Sequence, residues 1–314
     1  MLSGTVVKSF THLSGCLAVS WLCWIGGSES VVWATSPQRS DATLFFSPTE
    51  IRFPPAESVH LAQAAEGADS VPVPPLPTSV PQAITPNPAG ITGLDHSPQA
   101  NLGIGHLRPR DLSSLQDNSA LVDAGWLRGV ALPIYAQPGD TQPWAWLING
   151  WLIIGQSQPL AVGKDAAFSM LRTYDNLYTF PVLESRPDGW LQFQYTSAGT
   201  AWVHISHFQL GAVPLIWETW EDHFLATGSV KYRKHGLSQA LLSRPSNNTL
   251  PRVLVGPNSL IQPLEFQGDW MRVRVTQPAR ACAPLPGADT EEGWMRWRNS
   301  DAPLVWHVPQ GCQS

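Results

Sequence analysis

Short apolar runs alternate with turn-forming residues over the second half of the chain. From about Trp126 onward, runs of β-branched, aromatic and aliphatic residues are separated by Gly, Pro, Asn and Asp. This alternation is typical of short β-strands joined by tight turns. It predicts strands at residues 151–154, 190–195, 201–205, 230–233, 260–266, 270–275 and 294–298. The sequence therefore predicts an all-β fold.

One segment carries the signals of a helix between the strands. Residues 215–226 follow Pro214, contain Glu218, Glu221 and Asp222, and end just before Gly228. Proline and acidic residues favour the start of a helix, and glycine favours its end. We therefore expect one short connecting helix within residues 211–228.

A duplicated pattern of tryptophan strands lies on either side of this helix. Asp188-Gly189-Trp190 is followed by a second strand that contains Trp202, and Gly268-Asp269-Trp270 is followed by one that contains Trp294. Two copies indicate a duplicated module, since repeat arrays need more copies to form a continuous core.

The second copy resembles the bacterial SH3-type domain. Leu242-Ser243-Arg244-Pro245, Gly268-Asp269-Trp270 and Gly293-Trp294-Met295 follow the order of that family's motifs over residues 238–299. The first copy is similar to the family only over residues 180–207. The resemblance implies two small SH3-like β-barrel modules, at residues 126–210 and 229–314. It also implies an exported module that binds wall peptides or glycans.

Strand periodicity separates a predicted core face from a predicted binding face. Leu191, Phe193 and Tyr195 share one face of their strand, as do Met271, Val273 and Val275, and as do Met295 and Trp297. The opposite faces hold the candidate binding residues Trp190, Trp202, Trp270, Arg272, Arg274, Trp294 and Arg296. An indole ring is a flat apolar platform and a guanidinium is a fork for carboxylates, so together they suit sugars or acidic peptides. The alternative is that these tryptophans pack structurally over turns and barrel ends.

Residues 35–125 have a different composition. They contain no Trp, Tyr or Cys, and residues 71–88 include seven prolines. A segment so poor in large apolar side chains is predicted to be a disordered, partly polyproline linker.

The N-terminus has the pattern of an export signal. Lys8 is the only charged residue before an apolar run at residues 13–26, and Val32-Trp33-Ala34 offers a cleavage site. We expect a signal peptide at residues 1–34 and an exported protein, periplasmic or extracellular. An uncleaved membrane anchor is the alternative, and only then would the protein contact a membrane. After cleavage Cys282 and Cys312 would remain, and in an oxidising compartment they are expected to form a disulfide, with two free thiols as the alternative.

The sequence shows no motif for catalysis, a metal or a cofactor. It lacks a Gly-x-Ser-x-Gly elbow, a phosphate-binding glycine loop and a His-Glu-x-x-His helix. His204 and His207 could share a metal, but we interpret them as polar surface residues. The last module is mildly basic, with ten basic and six acidic residues over 229–314. The expected function is non-enzymatic binding of cell-wall glycan or peptide, with no nucleic-acid partner. A scaffold for another envelope protein is the alternative, and an envelope hydrolase is a third.

Overall fold

The structure, a computed structural model, describes residues 70–92, 102–113, 123–155, 157–174, 177–233, 236–280, 282–299 and 302–307. All of them belong to one compact unit, Glu57–Ser314. The predicted signal peptide, residues 35–69, 93–101 and 114–122 of the predicted linker, and Cys312 lie outside the described residues. We call residues 70–219 the N-terminal region and residues 220–307 the C-terminal region.

The N-terminal region is built from β-strands and short 3-10 turns. Its strands are β1 (Ile91–Thr92), β2 (Gly105–Pro109), β3 (Ala131–Ile134), β4 (Ala145–Ile148), β5 (Trp151–Ile154), β6 (Leu160–Ala161), β7 (Phe168–Ser169), β8 (Leu171–Thr173), β9 (Leu177–Ser185), β10 (Trp190–Gln194), β11 (Thr200–His204) and β12 (Leu215–Thr219). The 3-10 turns are Pro88–Gly90, Gly125–Gly129 and Ile205–His207.

These strands form two main sheets that enclose a core. One sheet has the order β11-β10-β9-β2-β12, with β8 paired to β9, and the other has the order β3-β4-β5-β6. β1 and β7 pair in parallel at the margin. Trp126, Phe180 and Phe193 are fully buried between the layers, and Trp126 Nε1 donates to the Tyr178 carbonyl at 2.9 Å. The buried indole is therefore satisfied as well as packed.

The C-terminal region begins with the one α-helix of the described residues. It contains α1 (Trp220–Thr227), β13 (Val230–Tyr232), β14 (Gln239–Leu242), β15 (Pro251–Val255), β16 (Leu260–Gln267), β17 (Trp270–Arg280), β18 (Ala283–Arg296), β19 (Arg298–Asn299), β20 (Ala302–Pro303) and β21 (Val305–His307). Seven strands form a sheet in the order β15-β14-β18-β17-β16-β13-β21. Phe224 of α1 packs in the core beneath this sheet with Met271, Met295 and Trp297.

The prediction of a β-rich chain is confirmed, and each of the seven predicted strands occurs, most of them with shifted ends. β5 has the predicted bounds, whereas β17 and β18 are longer and form a hairpin that reaches to the turn at Cys282. The inward alternation is also confirmed. Leu191, Phe193, Met271, Val273 and Met295 are all at most 1% exposed.

The predicted helix at 215–226 starts too early. Residues 215–219 are strand β12, which pairs along its whole length with β2. The helix begins only at Trp220 because the Thr219 hydroxyl accepts a hydrogen bond from the Asp222 amide at 3.0 Å and so caps it. It ends at Gly228, as predicted, where φ is 71°.

The predicted linker and the first module boundary also need correction. β2 lies within residues 35–125, yet it is buried along its length between β9 and β12. The sheet of the N-terminal region therefore draws strands from outside residues 126–210. Residues 70–92 also make backbone hydrogen bonds to the later strands and turns of the N-terminal region. For example, the Asn87 amide donates to the Val162 carbonyl at 3.2 Å. Low aromatic content did not prevent order here, because the surrounding strands supply the apolar partners.

Candidate functional site

The tryptophans and arginines of the C-terminal sheet lie on one exposed face. In the antiparallel pairing of β17 with β18, Trp270 is opposite Arg296 and Arg272 is opposite Trp294. Directly opposed residues share a side of a sheet, so these four side chains and Arg274 form one surface. We call it the Trp-Arg face. Both tryptophans are half-buried, and the Arg296 guanidinium lies over the Trp270 ring at 4.9 Å from its centroid.

Carboxylates already pair with the arginines of the Trp-Arg face. Arg272 lies 3.1 Å from Glu292 and 3.5 Å from Glu265, and Arg274 lies 2.9 Å from Glu292. The hydrogen bonds from Arg272 and then Arg274 hold the pKa of Glu292 below its usual range. The guanidiniums are therefore members of an exposed charge ladder and do not stand alone as the free forks that the sequence suggested.

Arg296 has a similar arrangement at the end of the face. It lies 3.7 Å from Asp269 and donates to the Asn247 side-chain oxygen at 3.4 Å. The Arg272 and Arg274 side chains are 44% and 49% exposed, and the Arg296 side chain is half-buried at 31%. Because exposed ion pairs are weak and exchange with solvent, a ligand with its own carboxylates or hydroxyls can join or replace them. The half-buried indoles beside them supply the apolar contact.

Trp190 and Trp202 are not on an exposed face. They are 4% and 8% exposed and pack with Tyr135, whose backbone pairs with Trp202. Val71 of the Pro-rich segment covers the same cluster. The outward side of this strand pair is therefore covered by a second layer, which the alternation along β10 and β11 does not reveal.

His204 and His207 are likewise buried, which corrects their interpretation as surface residues. His204 contacts Ser206 Oγ at 2.7 Å and the Asp188 carbonyl at 2.8 Å. His207 Nε2 lies 3.3 Å from the Val71 carbonyl, and burial lowers the pKa of His207. Each ring bonds to a neighbouring protein group, so both histidines act here as internal hydrogen-bonding residues.

A buried polar cluster lies where the two regions meet, and the sequence analysis did not find it. Its members are His106 and Arg108 of β2, Tyr174 after β8, Glu218 of β12 and His223 of α1. Glu218 Oε2 receives hydrogen bonds of 2.8 Å from Arg108 Nε, from Tyr174 and from His106 Nε2. Arg108 Nη2 donates to the other oxygen at 3.0 Å. His223 Nδ1 lies 3.5 Å from Oε2.

Burial and hydrogen bonds set the protonation states of Glu218 and His106. Burial alone would raise the pKa of Glu218, but the bonds from His106, His223 and Arg108 outweigh it and hold that pKa far below its usual range. Burial lowers the pKa of His106 to about 4, against the opposing bond to Glu218. Neutral His106 must carry its proton on Nε2 to donate to the carboxylate, so Nδ1 accepts from the Thr179 hydroxyl at 2.9 Å.

Three members of the cluster are residue types that bind metals. The ligand atoms of His106, Glu218 and His223 lie within 4.8 Å of one another. However, Arg108 already neutralises Glu218 through both oxygens, and three donors converge on Oε2. A divalent cation here would add two buried positive charges with no carboxylate left to balance them. These residues therefore fit a metal poorly and fit an internal ion-pair network well.

The network joins the two cores. The His106 ring stacks on Trp220 of α1, with centroids 4.8 Å apart, and Trp220 Nε1 donates to the Leu102 carbonyl at 2.8 Å. His106 and His223 are 0% exposed and Glu218 is 3% exposed, so these three side chains are shielded from solvent, while Tyr174 at the margin of the cluster is half-buried. The sequence offered little signal for it because Glu218 has the features of a helix first turn and the other members lie up to 117 residues apart, from His106 to His223.

The structure bears on only one of the two cysteines of the predicted disulfide. Cys282 is disulfide-bonded at the tip of the β17–β18 hairpin. Cys312 lies outside the described residues, so its identity as the partner stays a prediction.

Among the described residues, no helix combines the length and the apolar character needed to cross a membrane. The chain matches no protein-family model, no curated protein and no solved structure.

Proposed function

We propose that this chain is an exported, non-enzymatic binding protein of the cell envelope, whose C-terminal module at 229–314 is SH3-type and binds wall glycan or peptide. The observation that carries the proposal is the Trp-Arg face, where half-buried indoles alternate with exposed guanidiniums on adjacent strands. Flat rings beside hydrogen-bonding cations are what a sugar or an acidic stem peptide requires.

The site of action rests on two features. Residues 1–34 have the sequence pattern predicted for a signal peptide, and Cys282 is disulfide-bonded. Disulfides persist mainly in oxidising compartments outside the cytosol. Both features support export to the periplasm or beyond.

A scaffold that binds another envelope protein is the second candidate. Strand β15 is an edge of the seven-stranded sheet, and Leu254 on it and Leu250 beside it are 63% and 85% exposed. Exposed leucines beside a free sheet edge favour contact with another polypeptide. A hydrolase has no comparable support, because the His106–Glu218 pair is buried beyond the reach of a substrate.

Sedimentation with purified bacterial cell wall tests the first candidate. We expect the protein with Arg272→Ala and Arg296→Ala together to be captured at least about tenfold more weakly than the parent, because both substitutions remove cations beside the indoles. Arg186→Ala is the matched control, since Arg186 pairs with Asp188 in an equally exposed ion pair of the N-terminal region.

Two results would reject the wall-binding proposal. One is equal sedimentation of the double variant and the parent. The other is that the protein does not sediment with wall material but does capture a protein from a detergent extract of the envelope. That result would favour the scaffold function.

A further inference from the structure

The Pro-rich segment, residues 71–88, packs against the strands of the N-terminal region, and its buried positions show a period of about three residues. From residue 71 to residue 84 its inward-facing positions recur mostly every third residue: Val71, Pro74, Pro77, Pro81 and Ile84 are buried or half-buried. The repeat ends there, since the next buried position is Pro86. Between them Val73 and Leu76 are about 60% exposed, at 61% and 59%. A period of three is the repeat of a polyproline II helix, whereas a strand would alternate every second residue.

The protein surface beneath this segment binds its carbonyl groups. Trp151 Nε1 donates to the Gln82 carbonyl at 2.9 Å, and Asn149 Nδ2 donates to the Pro81 carbonyl at 3.1 Å. His207 Nε2 lies 3.3 Å from the Val71 carbonyl, which can only accept, so His207 is the donor. A polyproline II helix has no internal hydrogen bonds, and its carbonyls are therefore available to such side chains.

A tight hairpin turn shapes this surface. Asn149 and Gly150 join β4 to β5 and have φ angles of 54° and 82°, which suit an Asn-Gly turn. The Asn149 carbonyl accepts from the Ile84 amide at 3.0 Å. A Cβ atom at Gly150 would lie 2.5 Å from the Ile84 carbonyl oxygen, so the absence of a side chain lets the segment approach.

Aromatic rings complete the surface at its other end. Val71 packs on the cluster of Tyr135, Trp190 and Trp202. Stacked or edge contacts join Tyr135 to Trp190 and to His207, with centroids 5.1 and 5.9 Å apart. Aromatic grooves with an indole donor are the usual means of binding polyproline II peptides, because the ring packs on proline and its N–H bonds a carbonyl.

We propose that this surface, formed by Tyr135, Asn149, Gly150, Trp151 and His207, is a recognition site for Pro-rich peptides in the polyproline II conformation. The chain's own residues 71–84 occupy it, and a Pro-rich peptide of a partner protein can take their place. The site is separate from the Trp-Arg face and does not depend on the function proposed for that face.

The tethered segment competes with any peptide added from outside. A short tether gives an effective concentration of about a millimolar or more, so the parent should bind such a peptide weakly. Substitutions that weaken the segment without touching the surface should therefore expose the site.

Fluorescence anisotropy with a labelled peptide of residues 70–88 tests the proposal. The full chain carrying Pro74→Ala, Pro77→Ala and Pro81→Ala should bind the peptide at least about tenfold more tightly than the parent does, because its own segment competes less. Adding Trp151→Phe to the triple variant should weaken that binding about fivefold, because phenylalanine cannot donate the hydrogen bond that Trp151 Nε1 makes to the Gln82 carbonyl. Trp270→Phe, the matched control on the C-terminal sheet, should not change it.

A second labelled peptide, with alanine at the three proline positions, is the control. The proposal is overturned if the triple variant melts cooperatively, and so is folded, yet binds the peptide of residues 70–88 no more tightly than it binds this control peptide. A measurement on the parent covers the case of a triple variant that does not fold. Millimolar unlabelled peptide should then accelerate proteolytic cleavage within residues 71–84, since the displaced segment becomes accessible. Unchanged cleavage rates would equally overturn the proposal.

Discussion

The same tryptophan pattern has opposite surroundings in the two regions. Trp190 and Trp202 lie on the outward side of β10 and β11, just as Trp270 and Trp294 lie on the outward side of β17 and β18. In the N-terminal region Tyr135 and Val71 cover that side, and the indoles become core. In the C-terminal region nothing among the described residues covers it, and charged pairs line it instead. A strand pattern therefore fixes which side a residue faces, while the second layer decides whether that side becomes a core or a surface.

Truncation of one tryptophan from each region should show this difference most strongly. Trp190→Ala should lower the free energy of unfolding by about 4 kcal/mol, because it leaves a large cavity in a buried cluster. Trp270→Ala should cost about 1 kcal/mol, since it loses partial burial and the stacked Arg296. Urea denaturation of the two variants measures both values. Equal losses would contradict the contrast between a covered and an open face.

The junction between the regions should be nearly as sensitive. Glu218→Gln should lower the free energy of unfolding by about 3 kcal/mol, because it leaves the buried Arg108 guanidinium without its carboxylate. Glu184→Gln, an exposed change on β9 of the same sheet, is the control. The same denaturation assay decides the matter, and a Glu218→Gln protein as stable as its control would show that the cluster does not hold the regions together.

Acid should weaken the junction before it affects the Trp-Arg face. The folded pKa of His106, about 4, lies below its ordinary value of 6.5, so the unfolded chain binds a proton that the folded chain excludes. The contribution of His106 is therefore present above pH 6.5 and is lost as the pH falls from 6.5 toward 4, by up to about 3 kcal/mol. Glu218 adds to the loss below pH 4.5, because its pKa is also lowered on folding.

Denaturation at a series of pH values checks this slope. In His106→Gln, stability should change less between pH 6.5 and 4 than in the parent. An identical slope in the two proteins would show that the acid sensitivity arises elsewhere, for example at the buried His207.

Local pattern in the sequence predicted seven strands and their core-facing positions, but it missed most strands of the N-terminal region, among them β2, β9 and β12. Met271, Val273 and Met295 are buried as the alternation requires. The helix start was misplaced because Pro214 and Glu218 have helix-start features, while the pairing of β12 with β2, more than 100 residues earlier, decides the outcome. Long-range pairing of this kind leaves no trace in a local window.

The Pro-rich segment shows a second limit of composition. Its scarcity of aromatic residues predicted disorder, yet the aromatic partners are supplied by Tyr135 and Trp151 of the strands beneath it. The Asn149-Gly150 pair between two apolar runs is a hairpin signal that could have located this surface. Nothing in the sequence joins Glu218 to Arg108, because their contact depends on the sheet order alone.

Hydroxyl-radical footprinting of the tryptophans, read by mass spectrometry with and without purified bacterial cell wall, tests the central claim most directly. In the free protein, Trp270 and Trp294 should be oxidised while Trp190 and Trp202 are protected by their cover. Added wall should protect Trp270 and Trp294 and leave the other two unchanged. Two results would contradict the account. One is oxidation of all four tryptophans to the same extent in the free protein. The other is that the protein sediments with the wall material but Trp270 and Trp294 are not protected by it.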